Sequence, residues 1–386
     1  MNNLLRFAHH LLLLLLLCYL RPSSSSRYDA LFNFGDSMSD TGNVQISTLP
    51  YGMTFFGNAT GRCSDGRLVI DFIGTSSWGF PCFRRRKRTT TSGGGPTSRW
   101  WPPPPSPSTS STTATSARDS GSTPRSTSKS TASDASSPPS AAPLKVVAPP
   151  LSPLAHRPFD EITDLLLAEC KEFLRRSLFI VGEFGGNDYS TALFFARPVG
   201  EVSTFVPHVI DALRHGVERL IELGAVDLVV PGVLPVGCFP LYLTNYRSLD
   251  PDDYGPRTGC ARRYNALSWL HNTLLRRALD QLRRKHPAVS IRYADYYSQI
   301  IDIAVDPSKY GFTDGALRTC CGGGDNIYNY DQKRRCNEKN YSVCANVSTH
   351  VNWDGIHMTE AAHRVIADGW LRGPYVDPPI LISSSS

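Results

Sequence analysis

Two segments at opposite ends of the chain carry residues whose types and spacing could do chemistry together. One reads Phe34-Gly35-Asp36-Ser37-Met38 and the other Asn352-Trp353-Asp354-Gly355-Ile356-His357. A serine hydroxyl alone is a poor nucleophile. An imidazole must take its proton, and a carboxylate must orient that imidazole. Asp354 and His357, three residues apart, offer both partners from one short segment, and Ser37 offers the hydroxyl. The chain order Ser, Asp, His is one in which such triads are built. His350 and His363 are neighbouring alternatives for the base, but neither has a carboxylate at the same spacing. Asp36 and Asp40 could ligate a metal. Short acidic side chains in such a turn more commonly cap backbone N–H groups two residues on, and that is the reading adopted.

The elements that must position these residues follow from hydrophobic pattern. Residues 28–34, 177–182, 226–230 and 289–294 are short continuous apolar runs bounded by Gly or Pro, which suits strands of a parallel sheet covered on both faces. Between them, 202–223 and 262–285 repeat apolar residues at helical spacing, and Gly224 is a C-cap signal. A last helix is expected over 359–371 with Thr359 as N-cap. Strand alternating with helix means an α/β, doubly wound layer fold, whose sites form beyond the carboxyl ends of the strands. Ser37 and Asn187 both follow strands, and Asp354 and His357 lie on the loop before the last helix.

Composition narrows the function classes. The net charge of +6 is modest, and much of it sits in Arg84–Arg88, so a nucleic-acid partner is not indicated. Residues 1–26 read as a secretory signal peptide: Arg6 precedes the run Leu11–Leu17, too short to span a bilayer. An uncleaved anchor is the alternative. The expected location is secreted, extracellular or cell wall, without stable membrane insertion. Secretion favours disulfides among the ten cysteines. Cys238 and Cys260 bracket one loop and could pair; Cys320, Cys321, Cys336 and Cys344 cluster in another, with their connectivity left open. No zinc-type spacing is present, so no metal is expected. Sequons at Asn58, Asn340 and Asn346 are candidate glycosylation sites.

The blocks Phe34–Asn43, Tyr51–Phe72, Phe179–Tyr189, Leu228–Cys238 and Asn352–Thr359 closely resemble the plant branch of the GDSL esterase/lipase family, within the SGNH hydrolases. The resemblance covers most of 28–75 and nearly all of 169–372. It implies a flavodoxin-like three-layer α/β/α sandwich and hydrolysis of carboxylic esters through an acyl-serine, with no cofactor. By motif, Ser37 is the nucleophile, His357 the general base and Asp354 its orienting carboxylate. Asn187 and the Ser37 backbone N–H donate to the oxyanion. Apart from the motif, Asp188 is read as orienting the Asn187 loop rather than doing chemistry. The substrate would be a small-molecule, lipid or acetylated-polysaccharide ester.

One stretch does not fit. Residues 76–158 hold a basic run, the prolines 102–105 and a tract of Ser, Thr, Ala and Pro, where a sandwich of this kind needs its second strand and helix. A disordered or glycosylated linker is the plain reading. The genetic code suggests another. Shifted by one base, codons compatible with residues 96–101 can spell Ala-Asn-Phe-Ala-Val-Val, which resembles the family's second block. The stretch that begins with residues 77–83, shifted the same way, can spell Val-Gly-Phe-Pro-Leu-Leu-Pro-Pro. The segment is therefore read as translated out of frame or mis-spliced, which leaves one strand–helix unit disrupted. The chain divides into the signal, a hydrolase part over 27–75, the broken segment, a second hydrolase part over 159–375 and a disordered tail over 376–386. A catalytically impaired glycoprotein of the same fold is the alternative function, because the second oxyanion block is missing.

Overall fold

The computed structural model describes residues 28–43, 46–78 and 159–381. The expected signal peptide and nearly all of the segment read as out of frame lie outside the described residues.

Four parallel strands form the central sheet: β1 Ala30–Phe34, β2 Ser177–Val181, β3 Asp227–Pro231 and β4 Ser290–Ala294, in the order β1-β2-β3-β4. Each lies within two residues of its expected range. Helices flank the sheet, as the apolar runs require. They are α1 Val69–Trp78, α2 Phe159–Arg175, α3 Gly186–Phe194, α4 Val199–Ser203, α5 Val206–Leu223, α6 Pro240–Asn245, α7 Arg262–Lys285, α8 Tyr296–Val305 and α9 Glu360–Arg372. The steps from β2 to β3 and from β3 to β4 move the same way across the sheet. Right-handed crossovers then put α5 and α7 on one face, where they pack on each other, while α1 packs on α9.

Sequence and helix boundaries agree where capping is strong. Helix α7 matches its expected range, and Thr359 caps α9, its side-chain oxygen accepting from Ala362 N at 3.2 Å. Helix α5 ends at Gly224, whose φ of 119° is the left-handed conformation glycine adopts without penalty. The single helix expected over 202–223 is two. Pro207 stands in the first turn of α5 with no N–H to return to Ser203, so the ladder breaks there. The buried stripe Val206, Ile210, Leu213 and Val217 then joins Leu267, Leu275, Leu279 and Leu282 in one core. Each such side chain contributes about 1.5–3 kcal/mol on leaving water.

The expected disordered tail is a correction as far as Leu381. Val376 and Ile380 are buried, and Ile380 N and Leu381 N donate to the carbonyls of Trp370 and Leu371 at 3.1 and 2.9 Å. Two apolar side chains finding a gap beside α9 outweigh the proline-rich composition that suggested a free end.

A buried ion pair braces the N-terminal part. Arg62 donates twice to Asp71, at 2.8 and 2.7 Å, and once to the Thr41 carbonyl at 3.0 Å, joining the Ser37 loop to α1. The two side chains are 1% and 0% exposed. Asp71→Asn leaves the guanidinium buried without its charge partner, so a loss of about 3–5 kcal/mol is expected, read as a lower urea midpoint at unchanged m-value.

Candidate active site

Chain geometry at the end of β1 is set by close approach. A Cβ on Gly35 would lie 2.7 Å from the Gly182 carbonyl oxygen, so only glycine lets the loops after β1 and β2 meet. Beyond it, Asp36 Oδ1 accepts from Met38 N at 2.9 Å, and Asp40 Oδ1 accepts from Gly42 N and Asn43 N at 2.8 and 2.7 Å. These are the backbone caps expected of the two aspartates. They fix the turn that presents Ser37.

The opposite wall is the segment before α9. Two disulfides staple it, Cys320–Cys344 and Cys321–Cys336. Cys320 N donates to Asn352 O at 3.0 Å and Cys321 N to Trp353 O at 2.7 Å, so the stapled loop holds the strand-like stretch that carries Asp354. Trp353 is fully buried against Tyr51, with ring centroids 6.0 Å apart. The third bridge joins Cys238 and Cys260, the pair the sequence suggested. Cys320, Cys344 and His350 are the one group of metal-type ligand atoms among the described residues, and its two sulfurs are already bonded to each other.

The structure brings Ser37, His357 and Asp354 together. His357 Nε2 lies 2.8 Å from Ser37 Oγ, and Nδ1 lies 2.7 Å from Asp354 Oδ2. Asp354 also accepts from His357 N at 2.8 Å, Ile356 N at 3.1 Å and the Tyr51 hydroxyl at 2.9 Å. Sequence reasoning missed Tyr51 as a member of the site. Its partner is 303 positions away, and only its place within a family block marked it. Burial works against a charged Asp354. The His357 ring and the two backbone donors outweigh it and hold the carboxyl down, to about 2. Burial likewise works against a charged His357, but the Asp354 carboxylate, helped by Cys63, holds the ring well above 6.5.

Asn187 stands in the first turn of α3, after Gly185 at φ 105°. A Cβ on Gly185 would press within 3.1 Å of the His271 ring, which is itself fixed by Tyr189, hydroxyl to Nδ1 2.7 Å. Burial depresses His271 to about 4, so this ring is neutral packing beneath the loop. Asn187 Nδ2 donates to Asp36 Oδ2 at 3.1 Å. The role given to Asp188 is corrected. Its carboxylate is exposed in the first turn of α3, where it suits the helix dipole, and Asp36 is what holds Asn187. His350 bonds to the Asn346 carbonyl, and His363 is fully buried with both nitrogens unpartnered, so neither competes with His357.

A cavity of about 150 Å³ opens over Ser37, Asn187 and His357, with Phe194, Leu234, Phe239 and Tyr242 among its apolar walls. A larger groove of about 760 Å³ between Leu249, Tyr254 and Tyr328 contains none of these residues. The sequon residues Asn58, Asn340 and Asn346 are all exposed. Among the described residues, no helix is long and apolar enough to cross a membrane.

A parallel α/β sheet that gathers a serine, a histidine and an aspartate beyond its strand ends defines a candidate serine hydrolase. The chain belongs to the GDSL-like lipase/acylhydrolase family, whose model matches residues 31–370, and it is a carboxylic ester hydrolase. It is similar to a GDSL esterase/lipase of Arabidopsis thaliana, 38% identical over 361 residues that cover 91% of this chain and 92% of that protein. A second Arabidopsis GDSL esterase/lipase is 34% identical over 362 residues, covering 91% and 84%. Sinapine esterase of Brassica napus is 35% identical over 365 residues, covering 92% and 88%.

Proposed function

We propose that the protein is a secreted esterase that cleaves carboxylic esters through an acyl-serine intermediate on Ser37. The observation that carries this reading is the unbroken hydrogen-bonded line from Ser37 Oγ through the His357 ring to Asp354, 2.8 and 2.7 Å. His357 takes the serine proton as Oγ attacks the ester carbonyl. The Asn187 amide and the Ser37 N–H receive the oxyanion. His357 then protonates the departing alcohol, and water repeats the sequence to release the acid. Asp354 fixes the tautomer that leaves Nε2 free to accept. Asn58, Asn340 and Asn346 are proposed glycan sites on the secreted product.

Substrates in reach of this chemistry are acyl lipids, acetylated wall polysaccharides and small phenolic esters. A cavity of about 150 Å³ with apolar walls suits a short acyl group best. The likeness to a sinapine esterase keeps a small phenolic ester among the candidates.

The experiment is hydrolysis of p-nitrophenyl acetate by protein collected from the medium, with Asn187→Ala beside the parent. Removing one oxyanion donor lowers kcat by about 10²–10³-fold with little change in KM. An Asn187→Ala enzyme as fast as its parent would reject the oxyanion assignment.

A second reading, an impaired protein of the same fold, has one observation in its favour. Among the described residues β1 is an edge strand whose residues are half-buried or exposed, whereas every residue of β2 is buried. Sequencing the transcript across residues 70–170 decides this. An uninterrupted frame matching the chain, in a protein that hydrolyses nothing, would establish the impaired form; a shifted frame would supply the missing strand and oxyanion block.

A further inference from the structure

Beside the triad lies a carboxyl group that the mechanism above does not use. Glu183, the second residue after β2, is 5% exposed and hydrogen-bonds Asp36 in the loop after β1. A Cβ placed on Gly186 would lie 3.5 and 3.8 Å from the two Glu183 carboxyl oxygens and 3.9 Å from Asp36 Oδ2, so the two groups converge at the first turn of α3. Asp36 is fully engaged on its other sides. Oδ1 accepts from Met38 N at 2.9 Å and Oδ2 from Asn187 Nδ2 at 3.1 Å.

Two carboxylates at such range do not both ionise freely, and one of them keeps a proton. Burial, then the negative charge of Asp36 and the hydrogen bond to it, push Glu183 well above 4.5, with His357 opposing. A protonated carboxyl has an O–H to donate; an ionised one has none. Asp36 already accepts from a backbone N–H and from Asn187, so it is the acceptor for that O–H.

We propose that Glu183 is a positioning residue of the oxyanion site: its carboxyl O–H donates to Asp36, and Asp36 so braced holds the Asn187 amide where the oxyanion develops. The proposal rests on the reading of Ser37 and Asn187 given above. An asparagine amide has two N–H groups. Asp36 takes one and sets the plane of the amide, and the other is left for substrate. The loss of the Glu183 proton would place two negative charges side by side and push Asp36 off Asn187.

Glu183 faces Asp36, His357 from the loop before α9, Tyr189 of α3, Tyr242 of α6 and Tyr296 of α8. Burial holds all three phenols neutral through the working range. Asp36 and His357 are therefore the charges that Glu183 meets. Because the folded protein holds this proton more tightly than the unfolded chain, Glu183 weakens the fold as pH rises from about 4.5 towards its folded value. Glutamine, neutral and able to donate from Nε2, mimics the protonated acid and carries no such penalty.

The test compares Glu183→Gln, Glu183→Ala and Ser37→Ala in the full chain by p-nitrophenyl acetate kinetics and by melting between pH 5 and 9. Glu183→Gln is expected to keep kcat within about threefold and to lose the alkaline decline that Glu183 ionisation imposes. Glu183→Ala is expected to lose about 10–100-fold in kcat with KM little changed, a part of what deleting the Asn187 donor costs. Glu183→Gln should melt at or above the parent, increasingly so at higher pH. The proposal is overturned if Glu183→Gln loses as much kcat as Glu183→Ala, or if it melts below the parent by a gap that widens with pH. The melting arm needs no turnover, so it decides whether the folded protein holds the Glu183 proton on a chain of any activity. Failure of the underlying reading looks different: Ser37→Ala would then hydrolyse as fast as the parent.

Discussion

Ser37→Ala is expected to lower kcat on p-nitrophenyl acetate by on the order of 10⁵–10⁶-fold while leaving the fold intact. The magnitude follows from what is lost. Without Oγ there is no acyl intermediate, and the His357 ring has no hydroxyl to deprotonate; triad members act as a unit, so removing the nucleophile costs about as much as removing all three. What remains is the modest acceleration from oxyanion donors and binding, about 10³–10⁴ over water. Stability changes little, because Ser37 is only half-buried and, among the described residues, its side chain bonds only to His357. The check is single-site replacement with kinetics and a melting curve on the same sample. A folded Ser37→Ala protein with parental kcat would remove the nucleophile from the account.

Asp354→Asn carries the second largest effect, about 10⁴-fold in kcat near neutral pH. Asp354 accepts four hydrogen bonds, two from backbone N–H groups, one from Tyr51 and one from the His357 ring. An amide oxygen can keep the backbone donors, but its NH₂ group then faces the ring and favours the tautomer with Nε2 protonated, which cannot accept the Ser37 proton. The pH profile should move as well. The base works as the neutral ring, so activity is present above the His357 pKa and lost as pH falls through it. In the parent, Asp354 holds that value well above 6.5. Without the carboxylate, burial dominates and pulls it down, so the acid limb shifts to lower pH even as the plateau falls. An acid limb that stays in place would mean another group sets it.

Much of this was legible in the chain. The four strands were readable because each is a short apolar run closed by Gly or Pro, and α7 because its leucines recur at helical spacing over 24 residues. Helices α1, α3, α6 and α8 were not, because they are short and their apolar residues are too few to show a period; tertiary contact, not local pattern, decides them. The break before α5 turns on one proline, and the packed end of the chain on two apolar residues finding a gap beside α9. In the site, Ser37, Asp354 and His357 were legible because two of them share a segment. Tyr51, Glu183 and the link from Asp36 to Asn187 were not: each joins residues from loops that only the assembled sheet brings together. Asp188 is the sequence neighbour of Asn187, but the support comes through space from Asp36.

The most direct measurement is covalent labelling with a fluorophosphonate. Serine Oγ displaces fluoride at phosphorus, and the stable phosphonyl ester marks the activated hydroxyl. Trypsin releases Tyr28–Arg62 as one peptide, which holds Ser37 together with Ser39 and Ser47. One adduct per chain is expected, located on Ser37 by fragmentation, with esterase activity lost in parallel with label gained. An adduct on any other serine, or full turnover with Ser37 unmarked, would contradict it.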